Sequence, residues 1–167
     1  MVSELLLTEM GSSGRVRQKD GRRAIKKIVS EIYSPPRVTD LLKRMKSRHL
    51  MAGFALDLTV LDEDGQPWDF NREDKRAKAR ELVRGQKPYM LVGSPACKDF
   101  STWQALNKSK SKDPKAMEKA RVASVLHLNF VASLYQEQID GGRYFLHEHP
   151  LRATCWQEAS IKKILGI

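Results

Sequence analysis

Short apolar, β-branched runs alternate along this chain with segments whose apolar residues return every three or four positions. This alternation limits the fold more than any other feature. The runs at 28–33, 54–58, 89–92 and 143–146 read as strands, with 68–70 as a short further one. Between them, Val38, Leu41, Leu42 and Met45 keep helical spacing. The next helix is expected to be capped by Asn71 and stopped at Gly85, with Glu73 and Asp74 in its first turn and Arg80 and Arg84 near its end. A long helix is expected over 114–138, where Asp113 is a natural cap and Pro114 a natural first residue. Met117, Ala120, Ser124, Leu128, Val131 and Tyr135 mark one face of it, widened by Val122, Val125, Leu126 and Leu134. Gly141-Gly142 ends it, and a last helix is expected over 153–165. Together these elements predict an α/β domain with a mostly parallel sheet.

The chain has 167 residues, which suits one hydrophobic core. Residues 1–22 read as a basic, flexible tail and 23–167 as the α/β domain. Gly11-Ser12-Ser13-Gly14 breaks the tail, and Arg15, Arg17, Lys19, Arg22, Arg23, Lys26 and Lys27 form a basic cluster after it. Thirty Lys and Arg against 20 Asp and Glu leave a net charge of +10, which favours a polyanionic partner, nucleic acid first. No apolar run approaches the ~20 residues that span a bilayer, so no membrane partner is expected. Two cysteines, Cys97 and Cys155, cannot build a disulfide framework, which points to an intracellular, reducing compartment, nuclear or cytoplasmic.

Parallel sheets hold ligands beyond the carboxyl ends of their strands, so the residues just after each strand matter most. Cys97 follows the most apolar run through Gly93-Ser94-Pro95-Ala96 and reads either as a nucleophile, helped by Lys98 and a helix start, or as a small buried hydrophobe. Glu148 follows the strand at 143–146; burial there would raise its pKa and make it an acid, while a carboxylate satisfied by an arginine is the plainer reading. His147 and His149 share a face if the strand continues. Two histidines and one local acid fall short of a metal-binding set, so no metal is expected and capping or helix-facing roles suit them better. Asp57 can bond ribose hydroxyls, and Trp103 can stack on a base or anchor the core.

Taken together these strand ends resemble the catalytic half of the C5-cytosine DNA methyltransferase family. Pro88-Tyr89-Met90-Leu91-Val92-Gly93-Ser94-Pro95-Ala96-Cys97-Lys98-Asp99-Phe100-Ser101 is similar to the family's apolar strand, Gly-x-Pro-Pro-Cys turn and Phe-Ser pair. Arg143-Tyr144-Phe145-Leu146-His147-Glu148-His149 resembles the strand ending in Glu-Asn-Val, and Glu31-Ile32-Tyr33-Ser34 the start of the cofactor loop. The order is the family's, over roughly residues 28–165. The resemblance implies a Rossmann-like S-adenosylmethionine-dependent methyltransferase fold. It also implies methyl transfer to C5 of a flipped cytosine, with Cys97 adding to C6 and Glu148 engaging N3. Cofactor contacts would come from Tyr33, Ser34, Asp57, Asp69 and Ser94, and nucleic-acid contacts from Lys98, Ser101, Trp103 and Arg152. DNA is the expected partner, with RNA as a second choice. Ser34-Pro35-Pro36-Arg37 stands where the family has a glycine loop, and Ala96 where it has a second proline. The family's later Gln-x-Arg-x-Arg strand and target-recognition region have no counterpart, so a partner subunit or further lobe is expected to supply them. Two other readings stay open: a degenerate methyltransferase-like module that binds nucleic acid or protein, and a small-molecule methyltransferase or another cysteine-dependent transferase.

Overall fold

The β-branched run near residue 28 forms β1 (Lys27–Ile32), and Val29, Ser30, Glu31 and Ile32 are all buried. Burial on both faces follows from its place: β1 lies between β2 (Leu50–Leu56) and β3 (Met90–Gly93), and β3 pairs in turn with β4 (Tyr144–His147). The computed structural model describes residues 26–45, 47, 49–101 and 113–166; the expected basic tail at 1–22 and Trp103 lie outside them. Every pairing is parallel, and the strand order is β2-β1-β3-β4. The chain therefore leaves β1 toward β2 and returns to its other side as β3, which makes the β1/β3 boundary a switch point. Register aligns Ile32 with Leu56, Ile32 with Gly93, and Gly93 with His147. The residues that follow, Asp57, Tyr33, Ser94 and Glu148, thus form a row along the carboxyl edge.

Helices flank the sheet. α1 (Val38–Met45) packs on β1 and β2, while α3 (Pro114–Asp140) packs on β3, β4 and α4 (Ala159–Leu165). α2 (Glu73–Gln86) meets α3, where Arg84 pairs with Glu137 at 2.8 Å. The core joins Ile32, Leu91, Phe100, Leu128, Val131, Leu134, Tyr135 and Ile161. Asp113 caps α3 as expected, its carboxylate accepting from the Ala116 N–H at 3.0 Å with Pro114 next. Ser124, Leu128, Val131 and Tyr135 form its buried stripe. Val122 and Leu126, expected to widen that stripe, face solvent.

Four expectations are corrected. The run at 68–70 is not a strand. Trp68 and Phe70 are buried in the core, but the Asp69 N–H bonds the Pro67 carbonyl and its carboxylate accepts from the Asn71 N–H, so a local turn takes the groups a ladder would need. β2 starts at Leu50, earlier than expected, because Gly53 allows close packing on β1; a Cβ there would sit 2.1 Å from Ser30 Oγ. α2 is not capped by Asn71, whose side chain is engaged with Asp69 and His127, and it runs through Gly85 to Gln86. Lys87 closes it in the left-handed region (φ 47°), with its N–H on the Val83 carbonyl. The last helix is split. A 3-10 turn (Thr154–Gln157) precedes α4, and extended Glu158 separates them while its carboxylate pairs with Arg121 of α3. No helix among the described residues is long and apolar enough to cross a membrane.

Candidate functional site

A cavity of ≈ 270 Å³ opens at the carboxyl edge of the sheet, at the switch point. Tyr33 from the end of β1, Asp57 and Leu58 after β2, and Ser94 and Ala96 after β3 line it. Trp68, Asp69, Phe70 and Asn71 add the wall between β2 and α2, and His127 reaches in from α3. Level strand ends explain the grouping, because each strand delivers its next residue to the same edge.

Local turns set the polar groups. One oxygen of Asp57 accepts from the Thr59 N–H (3.0 Å) and hydroxyl (2.7 Å). One oxygen of Asp69 accepts from the Asn71 N–H (3.0 Å) and amide nitrogen (2.8 Å). The second oxygen of each carries no hydrogen bond among the described residues. Asn71 donating to Asp69 leaves its carbonyl toward His127 Nε2 at 3.1 Å. His127 then donates from Nε2, and its Nδ1 accepts the Tyr33 hydroxyl at 2.9 Å. Burial lowers the His127 pKa and raises that of Tyr33, so the pair is neutral, as that network requires. Tyr33 holds a left-handed backbone (φ 59°), a conformation costing about 1 kcal/mol outside glycine. The chain thus turns out of β1 on a tyrosine.

Four of the five expected cofactor residues, Tyr33, Asp57, Asp69 and Ser94, meet in this cavity. Ser34 does not line it: the residue is buried, and its hydroxyl donates to Glu31 (3.1 Å). The other Glu31 oxygen accepts from the Thr39 N–H and hydroxyl, both at 2.7 Å, so a buried carboxylate ties β1 to the first turn of α1.

Cys97 is half-buried and precedes a single 3-10 turn (Lys98–Phe100), shorter than the helix start expected there. The turn is anchored to α3, where Ser124 donates to the Asp99 carboxylate at 2.5 Å and Arg121 to the Asp99 carbonyl at 3.0 Å. Lys98 and Arg152 are exposed and Ser101 is partly so. Glu148 is exposed, so the burial expected there is not found: β4 alternates, and Phe145, His147 and His149 take the inner positions. The Glu148 N–H bonds the Gly93 carbonyl at 2.9 Å, and His149 Nε2 donates to the Pro95 carbonyl at 2.7 Å, so the Cys97 turn and the β4 end are held together.

His127 joins the site without having been expected there, and Asn71, expected as a cap, serves it instead. The available signal for His127 was its place four residues before Val131, at the border of the buried stripe of α3. Comparison with protein-family models, with curated proteins and with solved structures returns no match.

Proposed function

We propose that this chain is a C5-cytosine methyltransferase-like domain that takes S-adenosylmethionine in the carboxyl-edge cavity and acts on cytosine in DNA through Cys97. One observation carries the reading: Tyr33, Asp57, Asp69 and Ser94, from four separate segments, line a single cavity beside the turn that bears Cys97. The donor set suits an adenosine-bearing cofactor. Asp57 and Asp69 each keep one oxygen for a hydroxyl or amino group, and Leu58, Trp68 and Phe70 offer apolar surface to a base.

When bound, S-adenosylmethionine supplies an electrophilic methyl group. The Cys97 thiolate adds to C6 of a flipped cytosine, which builds electron density at C5. A proton held between the Glu148 carboxyl, one strand over, and N3 of the base would lower the cost of that addition. His149 steadies the turn through the Pro95 carbonyl. Methylation at C5 would leave the cofactor as a neutral thioether, and loss of the C5 proton to solvent would then expel the thiolate. The net charge of +10 suits the phosphate backbone.

A second reading is favoured by Pro35 and Pro36, which offer no N–H to a ligand where a glycine loop would. In it the chain binds nucleic acid without the cofactor. Calorimetric titration of the full chain with S-adenosylmethionine separates the two. Saturable one-to-one binding is expected, weakened roughly 10- to 100-fold in Asp57→Ala through loss of a charged hydrogen-bond acceptor. No binding heat, with salt-sensitive DNA binding kept, selects the module instead.

A further inference from the structure

Behind the Cys97 turn lies a second cluster, none of whose side chains touches the base or the cofactor in the proposed methyl transfer. His147 and His149 project from the inner face at the end of β4, and Cys155 rises to meet them from the 3-10 turn before α4. One donor atom from each lies within 4.8 Å of the others. We propose that His147, His149 and Cys155 form a binding site for a transition-metal dication, zinc by preference, which locks the Cys97 turn to the end of the sheet.

The hydrogen bonds around the cluster orient the donors. His149 gives its Nε2 hydrogen to the Pro95 carbonyl at 2.7 Å, so the Nδ1 lone pair faces Cys155 Sγ, 2.6 Å away. His147 places Nδ1 3.1 Å from the Tyr135 hydroxyl, while its Nε2 is buried with no hydrogen-bond partner among the described residues. A hydrogen bond between Cys155 and His149 alone would account for two of the three side chains; the bare His147 nitrogen is what a metal explains. Each histidine thus has a ring nitrogen held by an outer partner and the other left as a ligand, the arrangement that fixes imidazole ligands in metal sites. Two imidazoles and a thiolate are ligands that zinc accepts, with the fourth position open to water.

The surroundings are built to match. Gly93 makes room for the Tyr135 hydroxyl, which would lie 2.0 Å from a Cβ at that position, and Tyr135 stacks on Phe145 with ring centroids 4.5 Å apart. Trp156 stands edge-on to His147 at 5.3 Å, and Phe100 lies 5.9 Å from His149. Cys155 itself is fully buried, and burial pushes its thiol up to about 11, so without a metal it stays protonated. Metal binding releases that proton to solvent, and the dication offsets the buried thiolate charge.

Cobalt(II) titration of the full, reduced chain tests this directly. One equivalent is expected to give the visible bands of a tetrahedral site and a thiolate-to-metal charge-transfer band, and stoichiometric zinc should remove both. Cys155→Ser should abolish the charge-transfer band, while Cys97→Ser should keep it. Tyr135→Phe, which preserves the stacked ring, should weaken binding about 10- to 100-fold. Absence of the bands in the folded wild-type chain overturns the site. So does a charge-transfer band that follows Cys97 rather than Cys155, or affinity unchanged in Tyr135→Phe.

Discussion

Replacing Glu31 with alanine is expected to lower the unfolding free energy by about 3–4 kcal/mol. The carboxylate is 1% exposed and accepts three hydrogen bonds, two from Thr39 and one from Ser34. Its removal leaves the Thr39 N–H and hydroxyl unpaired in a buried site, each at roughly 1 kcal/mol or more, while the Ser34 hydroxyl keeps the Pro35 carbonyl at 2.9 Å. That is a large share of the 5–15 kcal/mol that stabilises an ordinary domain. Glu31→Gln should recover much of the loss. Its amide oxygen still accepts from Thr39, and the Ser34 hydroxyl can turn to accept from the amide nitrogen. Urea unfolding of the three proteins measures the effect. Equal midpoints for wild type and Glu31→Ala would mean that this carboxylate does not tie β1 to α1.

Gln138→Leu is the second large change expected, about 3 kcal/mol. Gln138 is fully buried near the end of α3, at the opposite edge of the sheet from the cavity. Its amide nitrogen donates to the carbonyls of Pro88 and Tyr144, both at 2.9 Å, and its oxygen accepts from Arg143 at 2.8 Å. The side chain thus joins the segment before β3 to the start of β4. Leucine has nearly the same volume, so the loss reflects unsatisfied polar groups more than an empty space. Thermal unfolding should show a clearly lower midpoint with binding at the distant cavity unchanged at low temperature. An unaltered midpoint would contradict the role given to this amide.

The sheet was legible because strands and helices carry different periods, and because Asp113-Pro114 and Gly141-Gly142 punctuate α3 strongly. The cavity residues were legible for a related reason. Once β1, β2 and β3 are recognised as parallel, the residues at their ends must lie on one edge, which picks out Asp57 and the turn after β3, while Tyr33 and Ser94 were named as cofactor contacts through the methyltransferase resemblance. Asp69 was found despite a wrong element, since Trp68 and Phe70 alternate about it toward the core as they would in a strand. What was not legible depended on contacts distant in sequence. Nothing local shows that Gln138 meets Pro88, 50 positions earlier, or that His127 meets Tyr33 and Asn71. Glu148 was misplaced because alternation along β4 could be phased either way, and the histidines rather than the acid took the inner face. His147 and His149 were placed on one face, but nothing local shows that Cys155 meets His149, so the cluster was not legible.

Covalent capture by a DNA duplex carrying 5-fluorocytosine tests the central claim most directly. Fluorine in place of the C5 hydrogen blocks the final elimination, so a protein that adds through a thiolate stays attached to the base. With S-adenosylmethionine present, the wild-type chain should give a denaturation-resistant protein–DNA band, and Cys97→Ser should give none. The same gel pattern for the two proteins would contradict cysteine-dependent methyl transfer by this chain.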